Sequence, residues 1–253
     1  MWKYENDNTK AVITAQKHIA SCRKGGKITL PETAVLFFMY SGVEYAISNY
    51  DTELIAERFP TFLNSRPIYR IKNSNVCFLH GGWGAPMAAD TIETLAALGV
   101  KNIISVGMFG AFSENVNSGD IIVPEKAFVE EGTSLHYYEK IDYSKPSNKL
   151  HSLALEAIDE AKPFTIVSTD AVYRQTDFKE NLWREKGAVG VDMETSALFS
   201  VGKHLGVDVV SVLIASDKHP MKENDECWEW TMTQNMRYDF FDKCINFALM
   251  ITG

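Results

Sequence analysis

Apolar residues fall along this chain in two rhythms. Short runs that are apolar almost throughout recur at 35–38, 76–79, 102–106, 120–123, 164–167, 188–191 and 209–215. Runs with so little polar alternation suit strands covered on both faces, as in a sheet sandwiched between helices. Helical stripes lie between them. Pro86, whose fixed φ suits a first turn, leads through Ile92, Leu95 and Ala96 to a stop at Gly99. Met193, Ala197, Val201 and Leu205 recur every four residues before Gly206, while Leu150, Leu153, Ala157 and Ala161, and then Met236, Phe240, Cys244, Phe247 and Ile251, each line one helical face. The stretches 130–148 and 219–226 follow neither rhythm and read as irregular loops. No repeat and no linker rich in Pro, Gly or Ser interrupts the alternation, which predicts one α/β domain over residues 1–253.

Composition narrows the partners. The 253 residues, 45% of them hydrophobic, suffice for a large single core. A formal charge of -8 disfavours nucleic acid or an anionic membrane surface and leaves small molecules. The longest apolar runs, 34–40 and 209–215, are far too short to span a bilayer, and the charged first ten residues lack the apolar core of an export signal. A cytoplasmic protein is expected. Cys22, Cys77, Cys227 and Cys244 lie far apart without a CxxC pair, so neither a zinc site nor a disulfide framework is expected.

Ligands in open α/β sheets collect beyond the carboxyl ends of strands. Four segments stand there: 81–86 (Gly-Gly-Trp-Gly-Ala-Pro), 107–111 (Gly-Met-Phe-Gly-Ala), Asp192-Met193-Glu194, and Ser216-Asp217. The first joins a strand to a helix whose unpaired N–H groups suit a polar ligand; a purely structural glycine turn fits it as well. The second also reads as a turn, with two glycines where a flat base can lie against bare main chain. Asp217 directly follows a long apolar run, where a carboxylate is desolvated unless partnered. It is a catalytic candidate or the cap of a following helix. Glu194 opens a helix, where the dipole favours an anion with or without a ligand. His136 and His219 lie in the loops as candidate bases or metal ligands, but no HExxH motif accompanies them. GxSxG, Walker and GxGxxG patterns are absent.

Taken in order, these segments resemble the nucleoside phosphorylase superfamily, which includes hexameric purine nucleoside phosphorylases, uridine phosphorylases and methylthioadenosine nucleosidases. The likeness runs from about His18 to Asp217, through Gly82-Trp83-Gly84-Ala85-Pro86, Val106-Gly107 with Gly110-Ala111, and Gly119-Asp120-Ile121-Ile122-Val123. It continues with Glu131-Gly132-Thr133-Ser134-Leu135-His136-Tyr137, which is similar to the phosphorylase branch, and ends with Val191-Asp192-Met193-Glu194-Thr195 and Ser216-Asp217. The resemblance implies a central mixed sheet flanked by helices on both faces. It implies that Glu194 binds the ribose hydroxyls, that Met193 packs on the sugar beside Val191 and Asp192, and that Ser216, Phe109 and Gly110 line the base site. Asp217 matches the acid that protonates a purine nitrogen as the base leaves. Burial behind 209–215 is expected to keep that proton on near neutral pH. His18 matches a histidine that reaches a neighbouring subunit's sugar, which implies a homo-oligomer, a dimer or a hexameric trimer of dimers, with shared sites.

The family's phosphate site is degenerate in this chain. Where phosphorylases carry Gly-Asp-Pro-x-Arg, the aligned stretch is Ser41-Gly42-Val43-Glu44-Tyr45; Ser105 replaces a second arginine and Met108 a hydroxyl residue. Arg66 is a candidate for the arginine that members lend across an interface. Phosphate recognition rests on charge-assisted arginine contacts, so losing two weakens it. Three readings stand. One is purine nucleoside phosphorolysis, with inorganic phosphate as co-substrate and no other cofactor. The second is hydrolysis, with Glu44 as the candidate base for water, and the third is a catalytically silent nucleoside-binding protein.

Overall fold

A computed structural model describes residues 9–22, 28–221, 228 and 230–252. In chain order its elements are α1 (Ala15–Ser21), β1 (Thr33–Phe37), α2 (Tyr40–Asn49), β2 (Thr52–Ala56), β3 (Ile68–Ile71), β4 (Val76–His80), α3 (Gly84–Ala97), β5 (Asn102–Ala111), β6 (Ile121–Ile122), β7 (Lys126–Glu130), β8 (Tyr143–Ser144), α4 (Asn148–Ala157), β9 (Thr165–Thr169), α5 (Asp177–Glu185), β10 (Ala188–Asp192), α6 (Thr195–Leu205), β11 (Asp208–Lys218) and α7 (Gln234–Met250). The strands form one sheet in the order β2-β3-β4-β1-β5-β10-β9-β7-β8, and β11 pairs with β5 and β6. β4, β1, β5 and β11 run parallel, whereas β10 meets the end of β5 antiparallel.

The unbroken apolar runs become strands because both faces are covered. Ala34 and Leu36 of β1 join Ala88, Ile92 and Leu95 of α3 and Leu198 and Val201 of α6. The alternate residues Val35 and Phe37 face Ala46 of α2, Leu150 and Ala154 of α4, and Phe240, Cys244 and Phe247 of α7. The expected mixed sheet with helices on both faces is therefore what the chain forms. α6 stops at Gly206 in the left-handed conformation, φ 72. Ala161 lies beyond the end of α4, and 120–123 contributes only the two-residue β6. The loop 130–148 holds a short 3-10 turn, Thr133–His136, and β8. Most of 219–226, together with Cys227, lies outside the described residues. Among those described, no helix is long and apolar enough to cross a membrane.

The segment 107–111 is not a turn but the second half of β5. β5 is extended because its far end gains a third neighbour: Gly190 pairs with Ala111 and Val191 with Gly110. Contact there is too close for side chains, since a Cβ on Gly190 would lie 2.3 Å from Phe109 Cδ2 and 2.7 Å from the Gly110 carbonyl oxygen. Gly190→Ala is therefore expected to cost about 1–3 kcal/mol through overpacking. Thermal unfolding should show a fall of roughly 2–4 °C per kcal/mol in a chain of this size. An unchanged melting temperature would contradict the close crossing.

Candidate active site

Three strand ends converge on one cavity of about 770 Å³. β11 stays in register with β5 from Asp208 to Ala215, and a bulge at Ser216 then sets Asp217 opposite Gly110. Successive strand residues normally face opposite sides, but a bulge re-aims the chain, and Ser216 and Asp217 both line the cavity. β10 delivers Val191 and Asp192, and the link into α6 delivers Met193 and Glu194. Phe109, Gly110 and Met108 of β5 complete this wall. Nine residues expected from the sequence thus share one space. Trp83, Tyr173, Trp228 and Trp230 add aromatic surface to the lining, and Glu180 of α5 and His219 add charge.

The carboxylates differ in how they are held. Asp192 is used by the protein itself, accepting from Ser168 Oγ at 2.5 Å and from the Thr195 N–H at 3.0 Å, so it ties β9 to the start of α6. Glu194 precedes the first turn of α6 and accepts from the Gly84 N–H at 2.6 Å, at the start of α3. The N-terminus of α3 thus meets this carboxylate. Burial, and then repulsion from Asp192, raise the Glu194 pKa, against the pull of the Gly84 and Met193 N–H groups. Glu194 therefore holds its proton more tightly than an ordinary carboxyl group until donors from a ligand arrive.

Asp217 behaves oppositely. Its Oδ2 accepts from Trp228 Nε1 at 2.6 Å and faces His219 Nε2 at 3.2 Å, while Ser216 Oγ bonds Oδ1. Burial pushes its pKa up, but the hydrogen bonds from His219, Ser216 and Trp228 outweigh burial and hold it below the usual carboxylate value. The expectation that burial keeps a proton on Asp217 is thus corrected. The proton sits on His219 instead: burial opposes its charge, yet Asp217 and Glu180, whose Oε1 lies 2.7 Å from Nδ1, raise it to about 9.

The remaining expected residues lie elsewhere. Ser105 is buried in mid-strand between Leu36 and Ser211. Tyr45 OH donates to Asp242 at 3.4 Å, and Ser41 and the exposed Glu44 share α2 with it; none of the four lines the cavity. His18 Nδ1 lies 3.1 Å from the Pro60 carbonyl, beside Phe62, in a separate groove. Arg66 bonds Tyr40 OH at 3.0 Å, and Tyr40 OH accepts from Trp83 Nε1 at 3.3 Å, which sets Arg66 two contacts from the cavity. The segment 131–137 is structural: Glu131 holds Ser134 N–H at 3.0 Å and Ser196 Oγ at 3.0 Å under α6. Among the described residues, no Arg or Lys lines the cavity and no cluster suited to a metal ion occurs. Sequence reading missed Glu180. Its only signal was a charged residue three positions before Trp183, which is buried.

The single mixed sheet flanked by helices matches the fold of solved nucleosidases and nucleoside phosphorylases. The chain belongs to the phosphorylase superfamily, whose family model matches residues 47–238. It is 27% identical over 152 residues to a DeoD-type purine nucleoside phosphorylase of Caldanaerobacter subterraneus subsp. tengcongensis, covering 58% of this chain and 66% of that one. To a guanosine phosphorylase of Halorubrum lacusprofundi it is 26% identical over 192 residues, 70% of this chain and 76% of that one. The match spans just under two thirds of the DeoD-type relatives. Among solved structures, an AMP nucleosidase from Bacteroides thetaiotaomicron superposes with a TM-score of 0.75 at 22% identity, over 94% of this chain and 97% of that one. A purine nucleoside phosphorylase from Toxoplasma gondii superposes with 0.74 at 19%, over 88% and 91%.

Because His219 gains its proton in the folded state, the stabilisation this supplies is complete below its unfolded value of 6.5 and is lost as pH rises through about 9. Denaturant midpoints of wild type and His219→Gln should converge over that window, by on the order of 2–3 kcal/mol. A pH-independent difference would contradict the charged imidazole.

Proposed function

We infer that the protein is an enzyme that cleaves the N-glycosidic bond of a nucleoside, with a purine as the favoured base. The observation that carries this reading is that Glu194, from the link between β10 and α6, and Asp217, from the end of β11, line one cavity together with aromatic side chains. Bond breaking builds positive charge on the sugar and negative charge on the base. As a nucleoside binds, Glu194 releases its proton to solvent, accepts hydrogen bonds from the ribose hydroxyls and stands as the anion near the sugar; Met193 and Val191 pack beside it. Asp217, with Ser216 and Gly110, meets the base and passes it a proton. Phe109 and the tryptophans sandwich the ring.

For the nucleophile, the cavity favours water. Phosphate binding relies on guanidinium or ammonium groups, and among the described residues no Arg or Lys lines this space. The family name and the curated relatives favour phosphate as the alternative, with ribose 1-phosphate as product. That reading needs cations that the described lining lacks, with Arg66 and His18 of a second copy as candidates at a shared boundary. Glu44, exposed on α2, is a poor candidate for the water base.

Purine and pyrimidine nucleosides incubated with and without phosphate should give free ribose in both conditions. Ribose 1-phosphate formed only with phosphate would identify phosphorolysis, and measurable binding without turnover would leave a binding protein. Asp217→Asn should slow purine cleavage by about 10²–10⁴-fold, and near-normal turnover would refute its role. Glu194→Gln should lower kcat by roughly 10²–10³-fold, with a smaller change in KM; an effect on KM alone would make Glu194 a ground-state binding group.

A further inference from the structure

His219 is fixed from three sides. Its backbone N–H donates to the Ala111 carbonyl at 2.7 Å, which continues the β11 pairing one residue past the strand. Its ring lies against the bare backbone of Gly110, where a Cβ would come within 2.4 Å of Nε2. The Phe112 ring flanks it at 6.4 Å. Each ring nitrogen then meets a carboxylate: Nδ1 faces Glu180 Oε1 at 2.7 Å and Nε2 faces Asp217 Oδ2 at 3.2 Å. A neutral imidazole has one N–H and one lone pair, so it would present that lone pair to one carboxylate. Only the doubly protonated ring satisfies both.

We propose that His219, clamped by Glu180 and Asp217, supplies the proton that Asp217 hands to the leaving base. The proposal rests on the cleavage reading above. Of the three donors on Asp217, the Ser216 hydroxyl and the Trp228 indole N–H keep their protons at any working pH. His219 alone has one to give. Glu180 lies on α5, one helical turn before Arg184, whose Nη2 is 4.0 Å from Glu180 Oε2. Arg184, Glu180 and Asp217 are the charged groups around the imidazole among the described residues; β5 meets it with Gly110 and Ala111, and Phe112 just beyond the strand flanks the ring. The raised pKa of His219, about 9, agrees with a proton stored there through neutral pH.

The proton count closes. His219 Nε2 gives its proton to the ionised Asp217, and as the C1′–N bond breaks and its electron pair passes into the base, Asp217 passes that proton to a base nitrogen; the ring, now neutral, keeps its Nδ1–H on Glu180. The water that attacks C1′ releases one proton to solvent, and His219 later recovers one from solvent. His219 acts through Asp217 and is its positioning and proton-supplying partner.

The test compares a purine nucleoside with its N7-methylated form, whose base already carries positive charge and leaves without protonation. Rates are measured from pH 5 to 10 for wild type, His219→Gln and Glu180→Gln. In His219→Gln the ratio of purine to N7-methylpurine cleavage should fall by on the order of 100-fold. In Glu180→Gln the alkaline limb of purine cleavage should move to lower pH. Imidazole NMR of the wild-type protein should show one ring titrating near pH 9 that is missing in His219→Gln. An unchanged ratio with an unmoved alkaline limb, or a ring that titrates near 6.5, would overturn the proposal. Wild-type protein that cleaves neither substrate, with that ring titrating near 9, would overturn the cleavage reading first.

Discussion

The register between β5 and β11 is the constraint on which the site depends. Eight residues pair in step, Asp208 to Ala215 against Asn102 to Phe109, before the bulge at Ser216 shifts the count. A slip of one residue would exchange the two faces of β11 and send Asp217 into the packed layer. The glycines on β5 and β10 matter for the same reason. Gly190 lets β10 cross close to Phe109, and Gly110 lets the His219 ring and the Asp217 carboxylate approach the strand. Shape at this crossing and charge in the cavity are one arrangement.

Burial alone would neutralise every acid here. Which group keeps a charge is decided by local donors. Burial raises the pKa of both Asp192 and Glu194, repulsion from Asp192 raises Glu194 further, and backbone donors pull against both shifts. Asp217 and Glu180 share an imidazolium, and the outcome is two anions and a cation. In the proposed reading Glu194 is the sugar-side carboxyl group, able to lose its proton, and the Asp217–His219–Glu180 cluster is the base-side group that gives one up. That polarity matches the charge developing across a glycosidic bond.

Much of this was legible in the sequence because the central strands are buried on both faces. Val35 to Phe37, Val76 to Leu79 and, Ser211 apart, Val209 to Ala215 are apolar since no side of them meets water. The outer strands β2 and β3 escaped notice because most of their residues are only partly buried and carry polar side chains such as the paired Glu53 and Arg70. Glu194 and Asp217 could be found from their place after apolar runs. Glu180 could not, since its helix reads as a polar surface segment and its burial arises only when α5 packs beneath the cavity. The ionisation of Asp217 was read with the wrong sign because His219 and Trp228 come from beyond the strand. Position predicts desolvation, but donors set its outcome.

The account is tested most directly by a crystal structure of the protein with a non-cleavable purine nucleoside analogue. The ribose 2′ and 3′ hydroxyls should lie within hydrogen-bond distance of Glu194, with a ring nitrogen of the base on Asp217 and its face on Phe109. An analogue bound in reverse, or seated in the separate groove beside His18, would contradict it.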